Sequence, residues 1–336
     1  MSEAVSRTGS DVGAHGSVLS RAAAAALQAP SILNTQPWRW QVHHGVLDLR
    51  ADRERQLRVI DPQGRMLVVS CGVALHHLRV ALAALGCDVE VSRLLDPADP
   101  DLLARIRILK TINPDPRDMR HYQSILARHT DRRPFQTSPV PPATLKALVD
   151  AAESRHAHLQ CLRPGQLPDL VAAAEQAANE QIANPGYLME LATWTHRPPG
   201  ARDGVPEATV VLPVHRQVPL REFAIGGTGR LAPGSGDDRG ASYAVLYTDN
   251  DDPPAWLRGG EALSAVLLAA IEHGVLASPM SDLVEVPAAR QTLRRLLGSG
   301  HPLAAVRVGL LDPATGVPRT PRRHPGDVVE RDAASR

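Results

Sequence analysis

Apolar positions along the chain alternate between a helical and a strand-like period, and the breaks between them mark the elements. In CGVALHHLRVALAALG the residues Val73, Leu75, Leu78, Ala81, Leu82 and Leu85 recur at helical spacing, and Gly86 behind them suits a C-terminal cap. An alanine run, Ala22 to Ala26, reads as a short helix capped by Ser17 or Ser20 and stopped by Pro30, because a residue before proline avoids the helical region. WRWQV and VLDLRAD read as two short strands around a turn at His44-Gly45. DVEVSRLL and ARIRIL, separated by a proline-rich loop, are two further strands. Helical signal returns in DMRHYQSILARH, behind Pro141-Pro142, and from Pro168 through Ile182, with strand HLQCL between the last two. Strand SYAVLYT, helix GEALSAVLLAAIEHG, helix AARQTLRRLLG and strand LAAVRVGLL follow. Residues 196–242 are rich in Gly, Pro, Arg and Asp and are longer than an ordinary connection, which suggests a lid or arm.

One internal comparison changes the reading of the whole chain. Laying Gly72–Gly86 over Gly260–Gly274 matches both glycines at identical spacing, together with Ala74 on Ala262, Leu75 on Leu263 and Ala81 on Ala269. Each helix is followed by a small apolar strand or loop, so a duplicated unit accounts for a length of 336 residues as readily as two unrelated domains.

Composition narrows the function. A formal charge of +1 supplies no general attraction to nucleic acid or anionic lipid, so any anion site is local. The core must be aliphatic, since aromatics are 3% of the chain. Three cysteines without CxxC spacing argue against a disulfide framework or a zinc site. Residues 1–16 are polar and read as a disordered leader, and no apolar run approaches the ~20 residues of a membrane span. The expectation is a soluble, cytoplasmic protein with no nucleic-acid or membrane partner. Signatures of Rossmann, P-loop, zincin and α/β-hydrolase chemistry, GxGxxG, GxxxxGK, HExxH and GxSxG, are not found.

Two loops carry candidate chemistry: APSILNTQPWRW (29–40) and RHTDRRPF (128–135). Taken singly, the first is an ordinary turn packed by its Trp and the second a solvated charge run. Together they resemble the flavin-binding signatures of the nitroreductase superfamily, an APSxxNxQPW loop and an RxSxR-type loop before an aromatic, and specifically its Acg-type branch of fused, single-chain relatives. The order of the two loops is reversed relative to ordinary nitroreductases, as expected if each half of a fused pair kept a different one. GEALSAVLLAAIEHGVLASPMSDLVEVP resembles the family's helix and the loop passing over the flavin ring, and TPRRHPGDVVE its C-terminal end. The resemblance covers most of residues 19–330.

The resemblance implies an α+β, nitroreductase-like FMN-dependent fold, an internally duplicated pseudo-dimer with mixed, largely antiparallel sheets flanked by helices. The halves are expected at 17–120 and 121–330, and one FMN is expected, since neither loop has a second copy. A phosphate dianion is best held by forked guanidinium and hydroxyl donors, which assigns it to Arg128, His129, Thr130 and Arg132, with Arg323 and its neighbour Arg322 closing the site from the tail. Ser31, Asn34 and Gln36 are expected at the pyrimidine end, Trp38 among the other cofactor-binding residues, and Pro279, Met280 and Ser281 at the ring face and N5. No metal is implied; His76 and His77 read as packing or surface residues. The implied activity is NAD(P)H-dependent hydride transfer through flavin N5 to a nitroaromatic, quinone or similar small-molecule acceptor, in a monomeric pseudo-dimer or a homodimer. The alternatives are a non-catalytic flavin-sequestering protein whose 196–242 segment covers the cofactor, and other flavin chemistry on the same fold.

Overall fold

Strand period and turn chemistry agree at the first hairpin, where β1 (Trp38–His43) pairs antiparallel with β2 (Val46–Ala51). His44 and Gly45 between them both have positive φ, at 46° and 74°, as the tight turn that matches strand twist requires. The computed structural model describes residues 15–94, 96–223, 229–311, 316 and 319–331, so nearly all of the expected leader lies outside them. A first helix, α1, spans 15–26; Ser17 and Ser20 sit inside it rather than at its cap, and Ser20 Oγ donates back to the Gly16 carbonyl. Behind the hairpin comes α2 (Arg65–Ala84), then β3 (Cys87–Arg93) and β4 (Leu102–Thr111). Helix α2 begins earlier than its periodicity indicated, because the Asp61 carboxylate accepts from Leu67 N at 2.8 Å and fixes the first turn.

The chain continues through α3 (Pro116–Ala127) and the basic loop to α4 (Pro142–Glu153), β5 (His158–Cys161), α5 (Leu167–Ile182) and α6 (Pro185–Thr195). After the long irregular segment come β6 (Ser242–Thr248), α7 (Pro253–Glu272), β7 (Leu276–Met280), α8 (Asp282–Glu285), α9 (Pro287–Leu297), β8 (His301–Gly309) and β9 (Val329–Arg331). Helix α6 escaped the sequence reading, as did β9, whose three residues carry no period. Residues 276–280, expected as a loop over the ring, form a strand at the edge of its sheet, where Pro279 costs no ladder bond.

Two sheets result, one ordered β3-β4-β2-β1-β9 and the other β7-β8-β6-β5. Set aside β9, and each is the same arrangement: two adjacent strands, a 20-residue helix between the second and third strands in sequence, and a third and fourth strand on the same side. Every pairing is antiparallel except β1 with β9. Gly86 and Gly274, which follow the two long helices, both take left-handed backbone, φ 71° and 69°.

Helices α2 and α7 cross where Gly72 meets Gly260. A Cβ on either glycine would sit 2.9 Å from the other's Cα; on Gly72 it would overlap the Leu257 carbonyl, and on Gly260 the Val69 carbonyl. These contacts are reciprocal at the one sequence offset that carries Gly72 onto Gly260, which is the signature of a twofold, self-complementary crossing. His76 and its counterpart Ser264 also meet, Nδ1 to Oγ at 2.8 Å. His77 Nδ1 lies 2.9 Å from the same hydroxyl, so both histidines are buried packing residues. The expected boundary at residue 120 falls inside α3, and β9 returns to the first sheet, so the C-terminal tail straps the two halves together.

The sequence reading found no apolar run long enough to span a membrane, yet α2 has that length and composition. Its residues are packed inside the protein, where an almost wholly apolar helix is what a central position between two sheets demands.

Candidate functional site

The APSILNTQPWRW loop leaves α1 and enters β1 through a contorted path in which Leu33, Asn34 and Gln36 all have positive φ, at 45°, 54° and 50°. Non-glycine residues pay about 1–3 kcal/mol for such backbone and keep it only where surroundings over-determine it. Here the surroundings are side-chain bonds. Ser31 Oγ accepts from Gln36 N at 2.8 Å, and Ser70 Oγ on α2 accepts from Ile32 N at 3.2 Å. Asn34 Nδ2 donates to the carbonyls of Gly204 and Pro321 at 2.9 and 3.1 Å, joining the loop to the irregular segment and the tail.

The basic loop is held from the other half. Arg307 on β8, fully buried, pairs with Asp238, donates to the carbonyls of Asp131 and Arg133 at 3.2 and 2.9 Å, and lies 4.0 Å over the Phe135 ring. Asp238 also accepts from Phe135 N at 2.7 Å and from Arg216 at 2.9 Å. Within the loop Asp131 pairs with Arg133 at 2.7 Å, which occupies that guanidinium. Arg128, Arg132 and the tail's Arg322 form no ion pair among the described residues, although Arg322 donates to Asn34 Oδ1 at 3.1 Å.

These parts line one cavity, whose wall runs from the APSILNTQPWRW loop and α2 to the basic loop, the irregular segment and the tail. Its wall brings together Ser31, Asn34, Arg128, Thr130, Arg132, Pro279, Met280, Ser281 and Arg322, nine of the residues singled out from sequence. Four others stand outside it. Trp38 is fully buried in the core beneath the loop. Gln36, also fully buried, donates to the Arg202 carbonyl at 2.8 Å and accepts from Arg323 N at 2.8 Å, so it is a brace between loop, segment and tail. Arg323 reaches the other way, to the Gln36 carbonyl at 3.1 Å and Asp52 at 3.4 Å, because that carboxylate competes for it. His129 folds back on the Ala127 carbonyl at 3.1 Å.

The electrostatics of the wall are one-sided. Burial, with Arg322 and Arg319 as like-charged neighbours, lowers the Arg128 guanidinium to about 9. Burial lowers Arg322 to about 10, and burial with nearby Arg221 lowers Arg132 to about 10. Arg132 and Arg322 are half-buried and both line the cavity. Arg128 Nε, Arg132 Nη1 and Arg322 Nε have no hydrogen-bond partner among the described residues. Buried cations without counter-charge are costly, and an anion is the ligand class that would offset that cost. Their neighbours divide them: Arg128 and Arg322 stand together near Thr130, whereas Arg132 stacks 4.4 Å over Phe223 beside Arg221.

Arg221 and Phe223, together with Leu220, come from the irregular segment and were not anticipated. Arg221 pairs with buried Glu285 and reaches Ser281 Oγ at 3.4 Å, which pins this strap across α8. One signal was available: the chain has only two phenylalanines, and each lies against an arginine of the site's frame. Ser70, Met66, Val69, Val73 and Asp282 complete the wall from α2 and α8; burial raises the Asp282 carboxyl. No cluster of metal-ligating side chains occurs among the described residues, and the three cysteines are free.

Fold and site define an α+β protein with a cavity lined by several arginines, its wall drawn from both loops, the irregular segment and the tail. No protein-family model matches the chain. The protein of Mycobacterium tuberculosis H37Rv named "Putative NAD(P)H nitroreductase Rv3131" is 38% identical over 310 residues, covering 91% of this chain and 89% of the relative. The same organism's "Putative NAD(P)H nitroreductase acg" is 33% identical over 316 residues, covering 91% and 93%. The chain belongs to the Acg-type branch of the NAD(P)H nitroreductase family. Among solved structures, the FMN-dependent nitroreductase NfnB of Mycobacterium smegmatis in complex with NADPH overlaps 62% of this chain and 96% of its own at 18% identity and a TM-score of 0.40. A nitroreductase with bound FMN from Bacteroides fragilis overlaps 60% and 94% at 12% identity and 0.39. Overlaps this weak carry nothing about chemistry.

Proposed function

We propose that the protein is an FMN-binding oxidoreductase that takes hydride from NAD(P)H and passes it to a nitroaromatic, quinone or similar acceptor. The observation that carries this reading is the group of guanidiniums without an ion-pair partner among the described residues that line one cavity, in a chain whose relatives bear the NAD(P)H nitroreductase name. Arg128, Thr130 and Arg322 would hold the phosphate of FMN, since two forked cations and a hydroxyl match a dianion. Ser31 and Asn34 offer neutral polar groups along the loop wall, and Pro279 and Met280 a dry surface from β7. Arg132 supplies a second, separate cation at the Phe223 end. Bound FMN would supply the two-electron chemistry, leaving position and electrostatics to the protein.

The repeated sheet order and the reciprocal helix crossing support a fused, duplicated origin, with the halves meeting at α2 and α7. A second reading, flavin sequestration, is favoured by one observation: the strap carrying Leu220, Arg221 and Phe223 lines the cavity and is fixed by the Arg221–Glu285 pair. Mixing purified, anaerobic holoprotein with NADPH or NADH while following the flavin band separates the two. Bleaching within seconds supports the reductase; a band that persists in the full chain but bleaches once residues 200–240 are removed supports sequestration. A colourless protein that also refuses added FMN refutes both.

A further inference from the structure

The repeated architecture places a second cavity wall on α7, and that volume holds side chains of an unusual kind. At the offset that carries Gly72 onto Gly260, the cavity-lining Val73 and Ser281 have Glu261 and Arg93 as counterparts. An apolar residue and a small hydroxyl in the first site are therefore replaced by a carboxylate and a guanidinium in the second, and the two are joined. Arg93 Nε and Nη2 lie 2.7 and 3.0 Å from the two Glu261 oxygens, a bidentate pairing. Arg79, on α2, adds a third bond at 2.6 Å.

A third guanidinium belongs to the same group. Arg155 comes from the loop between α4 and β5, which corresponds to the loop between α1 and β1 that walls the first site. The charges of Arg79, Glu261 and Arg93 act on its guanidinium, and its Nε has no hydrogen-bond partner among the described residues. Glu261 is 2% exposed, so two guanidiniums close directly on one enclosed carboxylate, with the third cation near them. A fully enclosed carboxylate on a central helix is a costly substitution for valine unless it replaces something of equal charge. The cage is thus built for an oxyanion, and the chain supplies one from its own backbone helix.

We infer that the Arg79–Arg93–Arg155 cluster is the remnant of the second cofactor half-site, converted into an oxyanion cage that Glu261 fills from within. The ligand class excluded by Glu261, and admitted in its absence, is a phosphate-type or small carboxylate anion. This accounts for the absence, among the described residues, of a second cavity lined like the first. The inference rests on the repeated architecture and not on the redox chemistry proposed for the first site.

The test uses the full-length protein saturated with FMN, so that the first cavity is filled, and compares wild type with Glu261→Ala and Glu261→Gln. Thermal melts are recorded against inorganic phosphate or sodium formate, with chloride at matched ionic strength as control. The expected result is a wild-type melting temperature that responds equally to all three salts, and Glu261→Ala melting lower but recovering saturably with phosphate or formate. Glu261→Gln, which keeps the volume, should show the same anion preference, and adding Arg93→Ala to Glu261→Ala should abolish it. Variants indifferent to the choice of anion overturn the inference. If neither single variant is isolated folded, refolding yields with and without phosphate are the readout, and equal yields overturn it as well. Absorbance of the flavin band per chain, read throughout, shows separately whether the first site holds FMN; a colourless wild type would strike at the proposed function and leave the anion response interpretable.

Discussion

Replacing Arg128 and Arg322 together by Met should move cofactor affinity and apoprotein stability in opposite directions. Both guanidiniums are enclosed, lack an ion-pair partner and sit near each other, and their burial holds them at about 9 and about 10. At about 1.4 kcal/mol per pKa unit, each charge costs the empty protein roughly 3–5 kcal/mol, and methionine fills the volume without that cost. The apo double variant should therefore be more stable than apo wild type. Each charge-assisted contact to phosphate is worth roughly 1.5–3 kcal/mol, so losing two should weaken FMN binding by about 10²–10⁴. A cation whose native pKa lies below its unfolded value binds fewer protons in the native state, so apo wild-type stability should rise as pH climbs through about 9, and the variant should lack that rise. Denaturant melts of apoprotein at pH 7 and above 9, with FMN titration by fluorescence quenching, supply all three numbers. Unchanged FMN affinity, or an apo variant less stable than wild type, refutes the reasoning.

Three further outcomes follow from particular contacts. Gly72→Ala and Gly260→Ala should each destabilise by ~3 kcal/mol or more in urea melts, because the new methyl meets backbone of the partner helix, whereas Gly165→Ala, with open space around it, should be within the error of wild type. Asp61 is buried beneath the first turn of α2, and burial raises its carboxyl to about 6. The native state therefore favours the protonated form, so wild-type stability should fall by roughly 2–3 kcal/mol as pH rises from 4 to 6; Asp61→Asn should flatten that dependence, and parallel pH profiles would exclude it. Arg221→Met removes the strap's pair with Glu285. It should speed bleaching of the flavin band by NAD(P)H if the strap limits access, and an unchanged rate would show that it does not.

Much of the secondary structure was readable from local signals, and the reasons are physical. Period and punctuation act over a few residues, so the β1–β2 turn, the long helices and their left-handed glycines follow from near neighbours. The site's two loops were legible because they concentrate groups with little structural use: three guanidiniums in six residues, and a proline-rich turn with Ser, Asn and Gln. What lies between the loops was not legible. Gln36, Trp38 and Arg323 read as site residues from sequence, yet Trp38 is core and Gln36 and Arg323 are braces, a role that the competing acceptors Arg202 O and Asp52 decide.

The sequence by itself determined most of the segments that become helices and strands, that two of the long helices match in glycine placement, and that basic residues gather in one loop of a nearly neutral chain. Tertiary structure alone decided that the tail returns to add β9 beside β1, that Arg221 and Phe223 reach the cavity from a segment without period, and that Arg133 is neutralised by Asp131 while Arg128 and Arg132 are not. Those outcomes depend on which distant groups compete for the same charge, hydrogen bond or surface, and that competition is settled only when the two halves close on one another.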